Sequence, residues 1–356
     1  MRLPKGANQP LDPTVLKGAF SSLNPSIHHA PYIRHPESSR TVMSDTIIAL
    51  VPLFFMSYFY YGPRVFLVGG VSVLTCLLAD WMTSLLLHQK INLRDLSPVV
   101  TGILITMLVP PAVELYVVVW AALFAILVAK APFGGTGHNI FNPAAAGLAF
   151  ATICWSSQMF RYTPTMQRLP LVIDEAVRFV QGPTATLKLG GISRIGLTEL
   201  LLGNFPGPIG STYTLIIFAC LIYLIARNAV RWYVPVSYVT AVSLLAAFNH
   251  PFGVTPLESI ANELFAGSLF FVAVYLLGDP VTTPKYRISR VLYGFSAGLL
   301  TMLFRYYSPF ELSAVFAILS MNALAPAFDC FCEWLMPRLH QLPASAENTR
   351  EGGARS

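Results

Sequence analysis

The sequence predicts an all-α polytopic membrane protein with about ten transmembrane helices, arranged as two halves of five in an inverted repeat. Hydrophobic residues make up 54% of the 356 residues and charged residues only 11%, against roughly 25% charged in soluble domains. Apolar segments recur along the chain, and a membrane span needs roughly 20 such residues. One long connector, residues 157–210, separates the first five segments from the last five.

Two of the apolar segments are short, at 96–111 and 141–156. Each begins beside a proline, Pro98 or Pro143, a residue that favours the first turn of a helix. We therefore predict two short or broken helices whose free backbone N–H groups hold a polar ligand within the membrane. The alternative is a pair of tilted ordinary helices. The ten predicted segments are 43–61, 65–87, 96–111, 114–131, 141–156, 211–227, 232–249, 258–278, 287–305 and 309–336.

Lysine and arginine residues predict the orientation. With the N-terminus inside, 16 of the 23 lie on the cytoplasmic side and 7 on the outer side, five of them in the long connector. Long connectors count little in the positive-inside rule, so both termini are predicted to be cytoplasmic. The predicted regions are a cytoplasmic lead-in (1–40), a first five-helix repeat (41–156), an outer-face loop (157–210), a second five-helix repeat (211–336) and a cytoplasmic tail (337–356).

Two similar proline-containing turns support the repeat. They are Ser97-Pro98-Val99-Val100-Thr101 in the first half and Asp279-Pro280-Val281-Thr282-Thr283 in the second. Because each half contains an odd number of spans, the second half starts on the opposite side of the membrane and runs inverted.

The most informative stretch is the glycine-rich segment, residues 133–143. Glycines such as Gly135 and Gly137 allow a ligand to approach the backbone closely. Asn139 and Asn142 are three residues apart, so both amides can face one way and meet the edge of an isoalloxazine or quinone ring. No Gly-Lys-Ser/Thr sequence follows, which excludes a phosphate loop. A packing turn with Asn142 as a helix cap explains the pattern equally well.

Few acidic residues lie within the apolar segments, and such residues are often functional because charge is costly there. Asp45 and Asp329 lie near predicted boundaries, where water or an arginine can face them, and Asp279 lies near a helix end. Asp80 is deeper and is the best local candidate for an ion-coupling or helix-packing role.

Several functional classes are disfavoured. The basic residues lie in short clusters between apolar runs, which indicates membrane topology and not nucleic-acid binding. The five cysteines lack metal-ligand spacing, so no metal site is expected. No catalytic triad, zinc-protease motif or haem-spaced histidine pair is present within the predicted helices, and we expect no self-contained catalytic site.

From about residue 28 to 330, the sequence resembles the D subunit of the Rnf complex, an ion-translocating ferredoxin:NAD oxidoreductase. It also resembles a homologue, the B subunit of sodium-pumping NADH:quinone oxidoreductase. The motifs that carry the resemblance are His29-Ala30-Pro31-Tyr32 with Ser39-Arg40, Ser97 to Gly102 with Pro110-Pro111, Ala129 to Pro143, Ala229 to Pro235, Gly278 to Thr282, and Met321-Asn322-Ala323 with Pro326 and Asp329.

The resemblance implies FMN joined by a phosphoester to a threonine of the outer loop, attached by a separate flavin transferase. It also allows a second, non-covalent flavin, riboflavin or FMN, at Gly135, Gly137, Asn139 and Asn142. We include Thr101, Asp279 and Thr282 from the two turns among the candidate cofactor-binding residues. Expected partners are the other membrane and peripheral subunits, including a second covalent-flavin subunit and iron–sulfur subunits, in a bacterial cytoplasmic membrane.

The expected Ala-Thr-Pro-Leu of this family reads Thr184-Ala185-Thr186-Leu187 here, with the proline at Pro183. Keeping the Ala-Thr pair makes Thr186 the FMN anchor, and keeping Gly-x-Thr makes it Thr184. We prefer Thr186.

The expected function is therefore that of an electron- and ion-transport subunit of a translocase, coupling electron flow through FMN to Na⁺ or H⁺ movement. One alternative is the subunit of the sodium-pumping quinone reductase. Others are a secondary transporter and a scaffold subunit without flavin.

Overall fold

A computed structural model describes residues 39–87, 95–135, 137–173, 177–188, 195–249, 255–308 and 311–340. The predicted all-α class is confirmed, since these residues contain helices and a single isolated bridge between Tyr162 and Val180, with no strand. Nearly all of the predicted lead-in and tail, including the His29-Ala30-Pro31-Tyr32 motif, lies outside the described residues.

The helices of the first half are α1 (Ser39–Tyr61), α2 (Arg64–Leu86), α3 (Ser97–Leu108), α4 (Leu115–Leu127) and α5 (Pro143–Cys154). The long connector contains α6 (Ser156–Met159), α7 (Pro183–Lys188) and α8 (Leu197–Leu202). The second half contains α9 (Thr214–Ala226), α10 (Tyr233–Phe248), α11 (Pro256–Phe265), α12 (Leu269–Tyr275), α13 (Arg287–Tyr307) and α14 (Ser313–His340).

Helices lie at all ten predicted positions. Four helical stretches are long and apolar enough to cross a membrane, and the bent pair α11 and α12 makes a fifth if it is one span. The two segments predicted to be short are α3 and α5, each 12 residues long. The sequence did not predict the 59° bend between α11 and α12, which lies beside Gly267 in the left-handed region (φ +112°).

Equivalent helices of the two halves pack in the same way. In the first half α2 contacts α3 and α4, and α4 contacts α5. In the second half α11 and α12 together form the third element. There α10 contacts α11, α12 and α13, and α13 contacts α14. The two first helices, α1 and α9, run antiparallel. Asp45 near the start of α1 pairs with Arg227 after the end of α9, and Tyr60 near the end of α1 contacts Tyr213 before the start of α9. An inverted repeat requires this antiparallel relation.

The two proline-containing turns are not equivalent positions of that repeat, so the interpretation of them as corresponding turns was wrong. The first turn opens α3, whereas the second follows α12. In an inverted repeat, equivalent elements of the two halves run in opposite directions across the membrane. The start of α3 and the end of α12 therefore lie on the same side. The turns therefore meet on the side where α1 starts, here called the cleft side. The side carrying the long connector is called the loop side.

Candidate functional site

A cleft between the two halves opens on the cleft side. It is lined by the start of α3, the glycine-rich segment, the start of α5 and the residues after α12. The polar residues that line it are Thr46, Ser97, Thr101, Asn139, Asn142, Tyr275 and Asp279. Gly137 also lines it. The structure therefore brings together five of the predicted cofactor-binding residues. The enclosed volume is about 50 Å³, which holds a few water molecules and not an isoalloxazine ring.

Asn142 joins the two halves at the base of the cleft. Its side-chain oxygen accepts a hydrogen bond from the Ala145 N–H at 3.2 Å and so caps α5, as one interpretation of the sequence predicted. Its amide nitrogen donates to the Leu276 carbonyl at 3.3 Å and to the Asp279 carboxylate at 3.5 Å. Because the side chain is only 3% exposed, these contacts connect α5 directly to the end of the broken third element.

Asp279 supplies the carboxylate of the cleft. The Val281 N–H donates to it at 3.2 Å. Desolvation by the surrounding protein raises the pKa of Asp279 to about 6, and the Val281 hydrogen bond opposes this rise. The group is thus close to its titration range at neutral pH.

The remaining predicted residues contribute unequally. The Asn139 side-chain oxygen is buried and has no hydrogen-bond partner among the described residues. Thr101 donates to the Ser97 carbonyl within its own helix at 2.9 Å. Gly135 adopts a left-handed conformation (φ +88°) next to the cleft without lining it. Thr282 is also buried outside the lining, with no partner among the described residues for its hydroxyl.

A partly buried ion cluster supports the glycine-rich segment, and the sequence did not predict it. Lys130, 1% exposed, lies immediately before the turn that opens the segment. Its ammonium group lies 2.8 Å from Asp80 and 3.5 Å from Asp95. Asp95 in turn accepts from the Ser97 N–H at 2.9 Å. Of the two roles predicted for Asp80, the structure shows helix packing. Through Lys130, Asp80 connects α2 to the segment after α4 and to Asp95 in the segment before α3.

The two other candidate acids also have partners. Asp45 accepts from the Tyr223 hydroxyl at 3.1 Å and pairs with Arg227 at 3.2 Å. Asp329 accepts from the Lys285 N–H at 3.1 Å. Both acids therefore join helices on the cleft side, consistent with their predicted boundary positions.

The two candidate anchor threonines lie on α7, on the loop side, in different environments. The Thr184 hydroxyl donates to the Glu311 carboxylate at 3.1 Å, and the side chain is half-buried. Its methyl group packs against Gly267, where an added Cβ would lie 2.8 Å from it. Thr186 is an exposed residue, and its hydroxyl donates to the Pro183 carbonyl, at 2.7 Å, in a part-buried hydrogen bond within the same turn.

Tyr162 and Glu311 form the base on which α7 rests. The Val180 N–H donates to the Tyr162 carbonyl at 2.9 Å, and the Tyr162 ring lies beneath Gly182. Burial raises the pKa of Tyr162 well above its ordinary value, and a hydrogen bond to Glu311 adds to the rise. Since Glu311 and Thr184 are 127 residues apart, no local sequence signal could pair them.

The motifs that form the cleft and the two threonines of α7 lie within one region that matches a known protein family. The sequence model described as the NQR2, RnfD, RnfE family matches residues 26–335. The chain belongs to this family.

Several known proteins resemble the chain over almost their whole length. The D subunit of the proton-translocating ferredoxin:NAD(+) oxidoreductase complex of Clostridium ljungdahlii is 29% identical over 318 residues, covering 86% of this chain and 94% of that protein. The D subunit of the Na(+)-translocating ferredoxin:NAD(+) oxidoreductase complex of Acetobacterium woodii is 28% identical, covering 88% and 95%. The D subunit of the ion-translocating oxidoreductase complex of Klebsiella pneumoniae is 28% identical, covering 86% and 96%.

Proposed function

We propose that this chain is the flavin-carrying membrane subunit of an Rnf-type complex, with FMN attached to Thr186 by a phosphoester. The observation that carries the proposal is the exposed position of Thr186 on a short helix held at a defined place, with its hydroxyl bonded only within its own turn. Relatives named as D subunits of ion-translocating oxidoreductase complexes support the electron- and ion-transport role.

Accessibility favours Thr186 over Thr184 as the anchor. A separate flavin transferase must reach the acceptor hydroxyl, and only the Thr186 side chain is exposed. Thr184 instead uses its hydroxyl to hold α7 against Glu311. When bound, FMN supplies the electron-transfer chemistry. The protein's own contribution is to fix α7 through Thr184, Tyr162 and Glu311, which keeps the anchored group in place.

The cleft suits a small cation better than a flavin. Its volume excludes an isoalloxazine ring in this conformation, so a non-covalent flavin at Asn139 and Asn142 requires the two halves to separate. The Asp279 carboxylate and the Asn139 oxygen, which has no partner within the part of the chain that the structure describes, are hard oxygen groups that favour Na⁺ or H⁺. We therefore propose that the coupling ion enters this cleft. Relatives of almost equal identity are named for protons and for sodium, so identity does not select the ion.

The proposal also includes partners and location. An electron-carrying subunit requires donors and acceptors, so we expect other membrane and peripheral subunits, among them a second covalent-flavin subunit and iron–sulfur subunits. A flavin transferase is needed for maturation. We expect a bacterial cytoplasmic membrane, with both termini cytoplasmic and the connector outside, as the Lys and Arg distribution indicates.

The test is intact-mass measurement of the full chain co-expressed with a flavin transferase, together with ultraviolet fluorescence of the denatured band. The wild-type chain and the Thr184→Ala variant should carry one FMN-sized mass, and Thr186→Ala should carry none. Thr186→Ser, which keeps a hydroxyl, serves as the matched control and should regain part of the mass. A wild-type chain without added mass would leave the transporter or flavin-less scaffold as the better assignment.

A further inference from the structure

A second set of polar residues lies on the loop side of the interface between the two halves. Here the segment that leads into α9 crosses the ends of two helices of the first half. The Ser57 hydroxyl of α1 donates to the Ile209 carbonyl at 2.8 Å. After α3, the Val109 carbonyl accepts from the Ile209 N–H at 3.0 Å. The Met107 carbonyl at the end of α3 accepts from the Gly210 N–H, also at 3.0 Å. The segment therefore joins α1, α3 and α9 on the loop side.

This position is the equivalent of the cleft under the inverted repeat. The cleft lies beside the start of α1 and beside the end of the third element of the second half, after α12. The loop-side residues lie at the start of α9 and at the end of the third element of the first half, α3. Because the repeat exchanges α1 with α9 and α12 with α3, it also exchanges these two places. The residues Ser57, Ser211, Thr212 and Tyr213 are here called the loop-side site.

The hydroxyls of the loop-side site indicate a small polar ligand. Ser211, Thr212 and Tyr213 are at most 1% exposed. The Tyr213 hydroxyl lies near those of Ser57 and Thr212, but the hydroxyls of residues 211, 212 and 213 complete no close hydrogen bond within the part of the chain that the structure describes. Buried hydroxyls without partners are costly, and native proteins usually supply ordered water or another polar group to them. Three adjacent hydroxyls of this kind suit water molecules or a hydrated cation.

The connector packs directly against the loop-side site. A Cβ at Gly203 would lie 2.7 Å from the Thr212 carbonyl, and one at Gly207 would lie 2.5 Å from the Thr212 methyl group. On the other side, the Tyr213 and Tyr60 ring centres are 5.2 Å apart. The loop-side site is therefore closed by tight backbone packing in this conformation, whereas the cleft is open on its own side.

A line of polar groups on α1 connects the two sites. Thr46 lines the cleft. The Ala49 carbonyl accepts from the Tyr275 hydroxyl of α12 at 3.0 Å, and the Leu53 carbonyl accepts from the Ser57 hydroxyl at 2.7 Å. These α1 residues are three or four positions apart, so they lie on one face of the helix. That face carries polar groups from the cleft to the loop-side site.

We propose that the loop-side site is hydrated and receives the coupling ion, Na⁺ or H⁺, after the ion leaves the cleft. The inference rests on the proposed entry of the ion at the cleft and does not depend on the flavin. Hydroxyl and carbonyl oxygens are the hard ligands that such an ion takes. In inverted-repeat proteins, alternating access opens one interface first on one side and then on the other. Release therefore requires the connector to move away from Thr212.

Hydration is tested by X-ray radiolysis, which generates hydroxyl radicals from bound water and modifies the side chains beside it. The sample is the purified full chain produced without flavin transferase. Tyr238 of α10 is the matched control, since it is equally buried and its hydroxyl pairs with Thr301 at 3.2 Å. We expect Tyr213 to be modified in the wild type and to lose this modification in Ser211→Ala with Thr212→Val. Tyr238 should stay unmodified in both proteins, and a cooperative thermal transition verifies folding. A Tyr213 as unreactive as Tyr238 in the wild type would overturn the proposal.

Ion movement is tested on the purified complex that contains this chain, in liposomes, with separate recordings of sodium uptake and internal pH. Tyr213→Phe should lower the number of ions moved per electron by about fivefold, the effect of one lost hydrogen bond. Tyr238→Phe should leave this ratio unchanged, and the recording in which the ratio falls identifies the ion. An unchanged ratio in Tyr213→Phe would overturn the proposal. Asp279→Asn tests the cleft separately, since an unchanged ratio in that variant would refute ion entry at the cleft.

Discussion

The two halves of the molecule differ most at their third element. In the first half α3 is continuous, and the buried Arg64 donates to the Pro111 and Val113 carbonyls that follow it. In the second half the third element is broken into α11 and α12. There the buried Arg305 donates to the Glu263 and Ala266 carbonyls at the end of α11 and pairs with the Glu263 carboxylate at 3.0 Å.

The two halves therefore differ in structure at the break between α11 and α12. Arg305 satisfies backbone carbonyls that the end of α11 leaves free, whereas Arg64 satisfies carbonyls of the connection between α3 and α4. Only Arg305 holds a break, and that break contacts Thr184 of α7 on the loop side. All residues of α12 are buried, and the chain leaving it reaches Asp279 in the cleft. The second half therefore places the proposed flavin helix and the proposed ion cleft at the two ends of one short helix.

The largest effect should come from removing a buried arginine. Arg305→Met leaves the Glu263 carboxylate buried without its partner and should destabilise the protein by about 3–5 kcal/mol. Arg64→Met leaves carbonyls unpaired and removes the charge that acts on Glu114, but Glu114 is exposed, so the cost should be smaller, about 1–3 kcal/mol. Thermal unfolding in detergent measures both.

A matched control for the arginine pair is Arg168→Met, at an exposed position, which should change the unfolding temperature little. Replacing Glu263 by Gln in the Arg305→Met background should recover part of the loss. Equal effects of the Arg64 and Arg305 variants would contradict the distinction between the halves.

Gly267→Ala should destabilise the break by about 2 kcal/mol, because the backbone has a positive φ and the new Cβ would lie 2.8 Å from the Thr184 methyl group. Thr184→Ser removes that methyl group and should restore the steric part of the loss. Gly70→Ala in α2 is the control, since no atom lies within 4 Å of the added Cβ. The thermal unfolding of these variants tests whether α7 contacts the break. A Gly267→Ala variant as stable as Gly70→Ala would show that it does not.

The pH dependence of stability should differ between the wild type and Asp279→Asn. The folded-state pKa of Asp279 is about 6, raised from 3.8, so the folded protein holds this proton more tightly than the unfolded chain. Its contribution to stability is therefore lost as pH rises from about 4 through 6. Asp279→Asn should gain relative stability over that interval, on the order of 1 kcal/mol after allowance for the partly exposed carboxyl. A pH-independent difference in unfolding temperature would exclude this carboxyl as the titrating group.

The smallest predicted effect is a difference in the free energy of unfolding between variants of the two α7 threonines. It is measured on protein produced without flavin transferase. Thr184→Val removes the hydrogen bond to Glu311 and should cost about 1 kcal/mol. Thr186→Val changes an exposed side chain and should cost no more than about 0.5 kcal/mol. Proteolysis within the connector provides a local measurement, with faster cleavage expected only for Thr184→Val. The reverse order would assign the holding role to Thr186.

The positions of the helices could be predicted from the sequence because hydrophobicity along a segment is a local property. The starts of α3 and α5 could also be predicted, because a proline favours the first turn of a helix locally. Helix α3 starts one residue before Pro98, and α5 starts at Pro143. The bend beside Gly267 was missed, because the apolar run 258–278 continues through it. Asp80 was recognised as unusual, but its partner Lys130 lies 50 residues away, where no pattern could connect them.

By itself the sequence determined the membrane class, the ten helical segments and the glycine-rich segment, and it singled out two threonines as candidates for the proposed flavin attachment. Only the tertiary structure decided that Asn142 meets Asp279, that Thr184 meets Glu311 and that Thr186 is left exposed. The physical reason is distance along the chain. Partners 137 and 127 residues apart come together only when the helices of the two halves pack, and that packing depends on side-chain shape across the whole bundle.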